Sequence, residues 1–282
     1  MPDPLRNYFG CGDGTPKRFI HFVHHQAMLV GATMAILLPV SMKSSFATTI
    51  AVVRGPTSVA IAADTRLDNL EVTGSHRRSV GYGCKIHKIG DRAFGAAGLI
   101  SSARDNFDPL PEITAALRRG GGLETISASL SKRLAEPLFR TISRLHRAMP
   151  PAAYQNMIVR APSVLSIFII EMHAGVPSYA ELEFLHIEDS RGTPVNVTTS
   201  LLMCPSAKCP INQFSFGVIG SNSAVRQEVA KGHFFTGNTA DDARKMVNIE
   251  VMAASDRVGG PVDVLLIDAS GVHWQKPRGK CK

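Results

Sequence analysis

The sequence is poor in the features that usually accompany metal or nucleic-acid chemistry. Its five cysteines include no Cys-x2-Cys pair, so a structural zinc site is not expected. Aromatics make up only 6% of the 282 residues and are not interleaved with a basic stripe. Lys and Arg are scattered, densest at Arg118-Arg119, at Lys132-Arg133 and from Lys276 to Lys282. The formal net charge of +8 therefore reads as a mildly basic, solvated surface, with no nucleic acid as partner. The apolar run Ala27 to Val40 has fourteen residues, short of the about twenty that a membrane-spanning helix needs.

What is present is globular. At 44% apolar and 19% charged, the chain can bury a sizeable core in one large domain or two small ones. Cys204 and Cys209, each followed by or beside proline, would close a small loop in an oxidising compartment, or stand as two free thiols.

The first 47 residues read as a leader. Lys17 and Arg18 precede the apolar run, and Ser41 to Ala47 follow it, ending Ser45-Phe46-Ala47. The order positive, apolar, small residues at the −3 and −1 positions is that of an export signal. Removal after Ala47 would make Thr48 the first residue. An uncleaved anchor would leave Thr48 inside the chain, and a downstream translation start would leave the domain to free its own threonine in the cytoplasm. Without residues 1–47 the chain keeps 27 basic against 21 acidic residues, so the charge reading stands.

From Thr48 onward the pattern is strands in blocks and helices in pairs. Thr48 to Val53 and Ser58 to Ala63 are short, β-branched or apolar runs around the Arg54-Gly55-Pro56-Thr57 turn, and read as a doubly buried hairpin ending at Asp64. Residues 65–83 read as a polar loop with a possible short strand. Lys85 to Ile89 and Ala93 to Ala97 are strands, the second running into Gly98. Leu110 to Arg118 and Leu123 to Met149 are helices, the second with Leu123, Ile126, Leu130, Leu134, Leu138, Ile142 and Leu145 on one stripe. Strands follow at Ser163 to Met172 and Tyr179 to Ile187, then an extended surface insertion at 189–212, then a strand at Phe214 to Ile219. Helices at Ala224–Lys231 and Ala240–Ala254 come next, with Thr239 as the expected N-cap of the second. Strands at Val262 to Asp268 and Val272 to Gln275 close the chain. Such block order argues α+β, with two sheets packed together and a helix pair outside each.

A threonine hydroxyl needs something to take its proton, and an N-terminal threonine carries its own base. Its α-amine has a pKa of about 7.7–8.0, so a useful fraction is neutral near physiological pH. The site also needs a cation, an anion to hold that cation, and backbone N–H groups for an oxyanion. Asp64, Lys85 and Gly98 end or begin the neighbouring strands.

These residues carry a resemblance. Thr48-Thr49-Ile50, Ala62-Ala63-Asp64-Thr65-Arg66, Lys85-Ile86-His87-Lys88-Ile89 and Ala97-Gly98-Leu99 resemble the successive motifs of proteasome β-subunits and their bacterial peptidase relatives, which are N-terminal nucleophile (Ntn) hydrolases. Asp64 follows Thr48 by sixteen residues, as in that family, and the Lys85 segment arrives about five residues late. Gly220-Ser221-Asn222-Ser223 is similar to the family's Gly-Ser-Gly-Ser turn. Asp256 and Gly259-Gly260-Pro261-Val262-Asp263-Val264 are similar to its Asp-x-x-Ser-Gly-Gly-x-x-Asp-Val segment, with the serine absent.

The resemblance, from Thr48 to about Trp274, implies a four-layer αββα sandwich and an N-terminal threonine peptidase working through an acyl-enzyme. It implies Thr48 as nucleophile and base, Asp64 and Lys85 as a supporting ion pair, Gly98 as an oxyanion N–H, and Ser221 and Asp256 as groups tuning the α-amine. It implies a homo-oligomeric ring, a peptide substrate, and no cofactor or metal. A small amide substrate on the same fold, or an inactive structural subunit, are the other readings. Each residue also has an ordinary alternative: Thr48 and Thr49 as strand residues, Asp64, Ser221 and Asp256 as turn or helix-end residues, and Lys85 as a surface lysine with Lys88 as its rival. With the leader removed, the protein would be exported, periplasmic or extracellular, with no membrane as partner.

Overall fold

A computed structural model describes residues 48–70, 77–102, 105–159, 161, 163–232, 234–276 and 280–281. The leader expected over residues 1–47, and its cut, lie outside the described residues. The fold is α+β, with all strand pairs antiparallel. Among the described residues no helix is long and apolar enough to cross a membrane.

The hairpin at the start sets the first sheet. Strand β1 (Thr49–Arg54) pairs with β2 (Ser58–Asp64), and the two stand in a five-stranded sheet with β10 (Ser215–Gly220), β11 (Val262–Asp268) and β12 (Gly271–Trp274), in the order β10-β1-β2-β11-β12. Every residue of β1 is buried. Alternation along the strand divides it between two environments. Ile50 and Val52 join a cluster with Phe168 and Ile170 of the second sheet, whereas Ala51 and Val53 face α5 (Thr239–Ala253). This is the doubly buried hairpin that its composition implied.

The second sheet runs β5 (Ile86–Ile89), β6 (Arg92–Gly98), β7 (Leu165–His173), β8 (Val176–Glu188) and β9 (Pro194–Cys204), in that order. Glycine admits close approach where the sheets meet. A Cβ on Gly95 of β6 would lie 3.0 Å from Ile50 Cδ1, and one on Gly217 of β10 would lie 2.6 Å from Phe168 Cζ. The other face of the second sheet meets α1 (Pro109–Arg119) and α2 (Leu123–Ala148), whose seven-residue apolar stripe is buried throughout as expected.

Four local readings are corrected. Within 65–83, read as a loop with at most one short strand, two strands form a small sheet, β3 (Arg66–Leu70) with β4 (Arg77–Tyr82). Their polar sequences carry no period-2 apolar signal, so only the ladder reveals them. The stretch 189–212, read as an insertion, contains the eleven-residue β9 on the edge of the second sheet. Most of its side chains are exposed, which gave it the composition of a loop. After α2, Pro151–Tyr154 (α3) and a π-helical turn at Gln155–Val159 were not anticipated. The cap of α5 is Asn238, whose side chain accepts from Ala240 and Asp241 N–H. Thr239 is the first helical residue.

The cysteines of the described residues form two disulfides, Cys84–Cys281 and Cys204–Cys209. The short loop was one of two readings of the sequence. The other pair, 197 residues apart, has no local signal.

Candidate functional site

Thr48 lies just before β1, where the β1–β10 pairing ends at Thr49 opposite Gly220. Its carbonyl accepts from Ser221 N–H at 2.8 Å, and Thr49 Oγ1 donates to Ser221 O at 2.9 Å. The turn holding this backbone must be glycine at position 220. Gly220 has φ +81°, and a Cβ there would fall 1.9 Å from Thr48 O. The same position is 3.6 Å from the Ala97 Cβ, so the end of β6 reaches the start of β1.

Asp64 ends β2 and is fully buried. Its Oδ1 accepts from Thr49 N–H at 2.8 Å and from Lys85 Nζ at 2.9 Å, and its Oδ2 accepts from Gly259 N–H at 3.2 Å. Lys85, 6% exposed, also donates to Thr48 Oγ1 at 3.0 Å. One ammonium thus bridges a buried carboxylate and a threonine hydroxyl. Burial pushes the Asp64 carboxyl above its usual pKa, while the Lys85 charge and the N–H donors of Thr49 and Gly259 pull it back. The rival lysine, Lys88, is exposed, with Nζ 3.4 Å from Val272 O.

The other expected site residues have mixed positions. Ser221 Oγ donates to Glu250 Oε2 at 3.0 Å. Glu250 Oε1 accepts from Ala224 and Val225 N–H at 2.7 and 3.0 Å, satisfying the start of α4 (Ser223–Ala230). Gly98 ends β6 at φ +104°, and a Cβ there would lie 2.4 Å from Val164 O. The neighbour that demands glycine at 98 is therefore the chain's own backbone. Asp256 is exposed in the turn after α5, with a carboxylate oxygen 3.9 Å from Arg257 Nε. The segment after Asp256 meets the site through its backbone. Gly259 N–H reaches Asp64, and Gly259 O accepts from Thr65 and Arg66 N–H.

Sequence reasoning missed Glu250. It is fully buried on the apolar stripe of α5, following Ala243, Met246 and Val247 at helical spacing, and a carboxylate in such a stripe was the available signal. Among the described residues, one group has metal-ligand geometry: Cys84, Asp263 and Cys281. Its two sulfurs are joined to each other. No protein-family model matches the chain, and no curated protein matches it.

Proposed function

We propose that the chain is an N-terminal threonine amidohydrolase with the four-layer αββα sandwich of Ntn hydrolases, cleaving peptide bonds through an acyl-enzyme. The observation that carries this reading is the Lys85 ammonium, 3.0 Å from Thr48 Oγ1 and 2.9 Å from the buried Asp64.

Cleavage after Ala47 would give Thr48 a free α-amine beside its own hydroxyl. The amine takes the hydroxyl proton as Oγ1 attacks the substrate carbonyl. Lys85, held by Asp64, stabilises the negative charge developing on Oγ1, and Gly98 N–H is assigned to the oxyanion. As the tetrahedral intermediate collapses, the α-ammonium returns the proton to the leaving amine. The remaining ester is hydrolysed by water, with the same amine as base. Because Ser221 Oγ donates to Glu250, its lone pairs stay available to accept from an α-ammonium. Two disulfides support export to an oxidising compartment, where the leader's removal would also create the nucleophile. A ring of like subunits and a peptide substrate belong to the same reading.

The test is N-terminal sequencing of the mature protein, followed by Thr48→Ala. A mature chain that begins at Thr48 and hydrolyses a fluorogenic peptide amide is expected, and Thr48→Ala should lower turnover by at least about a thousandfold with the fold intact. A retained Ala47, or undiminished turnover in the variant, removes Thr48 as nucleophile.

A further inference from the structure

The disulfide Cys84–Cys281 lies one residue from Lys85, and its surroundings tie both partners to the candidate site. Lys85 stands outside the ladder of β5, which begins at Ile86. On its N-terminal side the chain is held by Gly83 N–H donating to Thr65 O at 2.7 Å, and by the cross-link at Cys84. At the far end of the cross-link, Cys281 is buried among the residues between the sheets. Its N–H and that of Lys280 donate to Asp263 Oδ2 at 3.1 and 2.9 Å. Asp263 is buried in β11, in register with Ala63, the neighbour of Asp64. The connection therefore closes on itself: Lys85 to Cys84, across the sulfurs to Cys281, through Asp263 to β2, and back to Lys85 through Asp64.

We propose that Cys84 and Cys281 are positioning residues, whose disulfide fixes the backbone that carries Lys85 so that its ammonium stays on Thr48 Oγ1 and Asp64. Reduction by a dithiol would open it: two thiols form on Cys84 and Cys281, and the reductant supplies two electrons and two protons as it closes to its own disulfide. With the staple open, the Lys85 backbone keeps only the non-covalent part of its support. The mature chain would then be active in an oxidising compartment and weakened in a reducing one.

This inference rests on the amidohydrolase reading for its consequence in turnover, but its geometric part can be read without turnover. The mature protein is compared with Cys84→Ser/Cys281→Ser, with Cys204→Ser/Cys209→Ser, and with wild type titrated with dithiothreitol. Lysines are acetylated briefly with acetic anhydride and mapped by mass spectrometry, and hydrolysis of a peptide amide is followed in parallel. In the oxidised protein Lys85 should be protected. In the first variant and in the reduced protein its acetylation should rise at least tenfold and kcat should fall at least tenfold with KM little changed. The Cys204/Cys209 variant should match wild type in both. Unchanged Lys85 acetylation after Cys84–Cys281 is opened overturns the inference, as does an equal response in both variants. Increased acetylation with no turnover in any form, wild type included, keeps the positioning and sinks the amidohydrolase reading. Should the Cys84→Ser/Cys281→Ser variant fail to fold, dithiothreitol titration of the Cys204→Ser/Cys209→Ser variant, which keeps only the Cys84–Cys281 bond of the two, carries the test: unchanged Lys85 acetylation on reduction overturns the inference.

Discussion

Strand β1 has a buried cation at each end, and the two are satisfied in opposite ways. At its start Lys85 meets a carboxylate, Asp64, and extends to a hydroxyl. At its finish Arg54, fully buried, donates to the main-chain oxygens of Pro177 at 2.8 Å, Ile211 at 2.7 Å, Gln213 at 3.0 Å and Pro210 at 3.4 Å, and to the Ser215 hydroxyl at 3.4 Å. A cation among fixed carbonyls anchors whatever carries them, here the chain after the Cys204–Cys209 loop. A cation shared between a carboxylate and a hydroxyl can respond to a change of charge on that hydroxyl. On the proposed reading the difference separates fastening from chemistry across a six-residue strand, although both ends hold one buried positive charge.

The comparison is broken first at Lys85. Lys85→Met should lower amide hydrolysis between about a hundred- and ten-thousandfold, because the hydroxyl loses its cation. It should also leave Asp64 buried without its counter-charge. Burial already raises the Asp64 pKa, and removing Lys85 removes an opposing influence. A carboxyl whose folded pKa exceeds its unfolded value stabilises the fold at low pH and loses that contribution as pH rises through the folded pKa. Thermal melts of the variant should accordingly be higher at pH 5 than at pH 8. Adding Asp64→Asn should recover part of the melting temperature at pH 8 and none of the activity. If Lys85→Met keeps near-normal turnover, the site end of β1 is another fastening.

The opposite end should fail in the opposite manner. Arg54→Met leaves several buried carbonyls without donors, at a cost of about 3 kcal/mol or more. For a chain of this size that corresponds to a fall in melting temperature of roughly 6–12 °C, measured by differential scanning fluorimetry. Turnover per folded molecule should change little below the transition. A loss of activity without a loss of stability would contradict the anchoring role.

The contrast was only half legible in the sequence. The Lys85 end could be read because the chemistry proposed for it needs residues of particular types at the ends of neighbouring strands, and strand ends are visible in patterns of apolar runs. The Arg54 end could not. Arg54 stands beside Gly55-Pro56, so turn chemistry accounted for it, and its acceptors lie more than a hundred residues away. The Cys84–Cys281 pair was hidden for the same reason, since it is defined by a partner remote in sequence, and so was the partner of Glu250, whose one local mark is a carboxylate on an apolar stripe. The elements followed a simpler rule. Those with one buried stripe or two buried faces, such as α2 and β1, were evident, whereas β3, β4 and β9 owe their existence to a backbone ladder that composition does not report.

A half-buried carboxyl sharpens the comparison with the smallest effect. Glu181 lies on β8, beneath β10, where a Cβ on Gly217 would come within 3.0 Å of its Oε2. Burial, and secondarily the charge of Glu183, push its pKa up to about 7, while Arg226 pulls it down. Here, as at Asp64, burial is the larger influence and the cation only opposes it. Its folded pKa is above the ordinary carboxyl value of 4.5. The stability it contributes is therefore complete below about pH 4.5 and is lost as pH rises through about 7. Melting temperature should fall by a few degrees between pH 6 and pH 8, and Glu181→Gln, which cannot ionise, should flatten that slope while raising stability at pH 8. Should the slope persist in the variant, another group titrates over this range and Glu181 is already charged at neutral pH. That result would mean that Arg226 holds Glu181 charged against burial, and would leave Arg54 as the one charge of the three held by neutral partners.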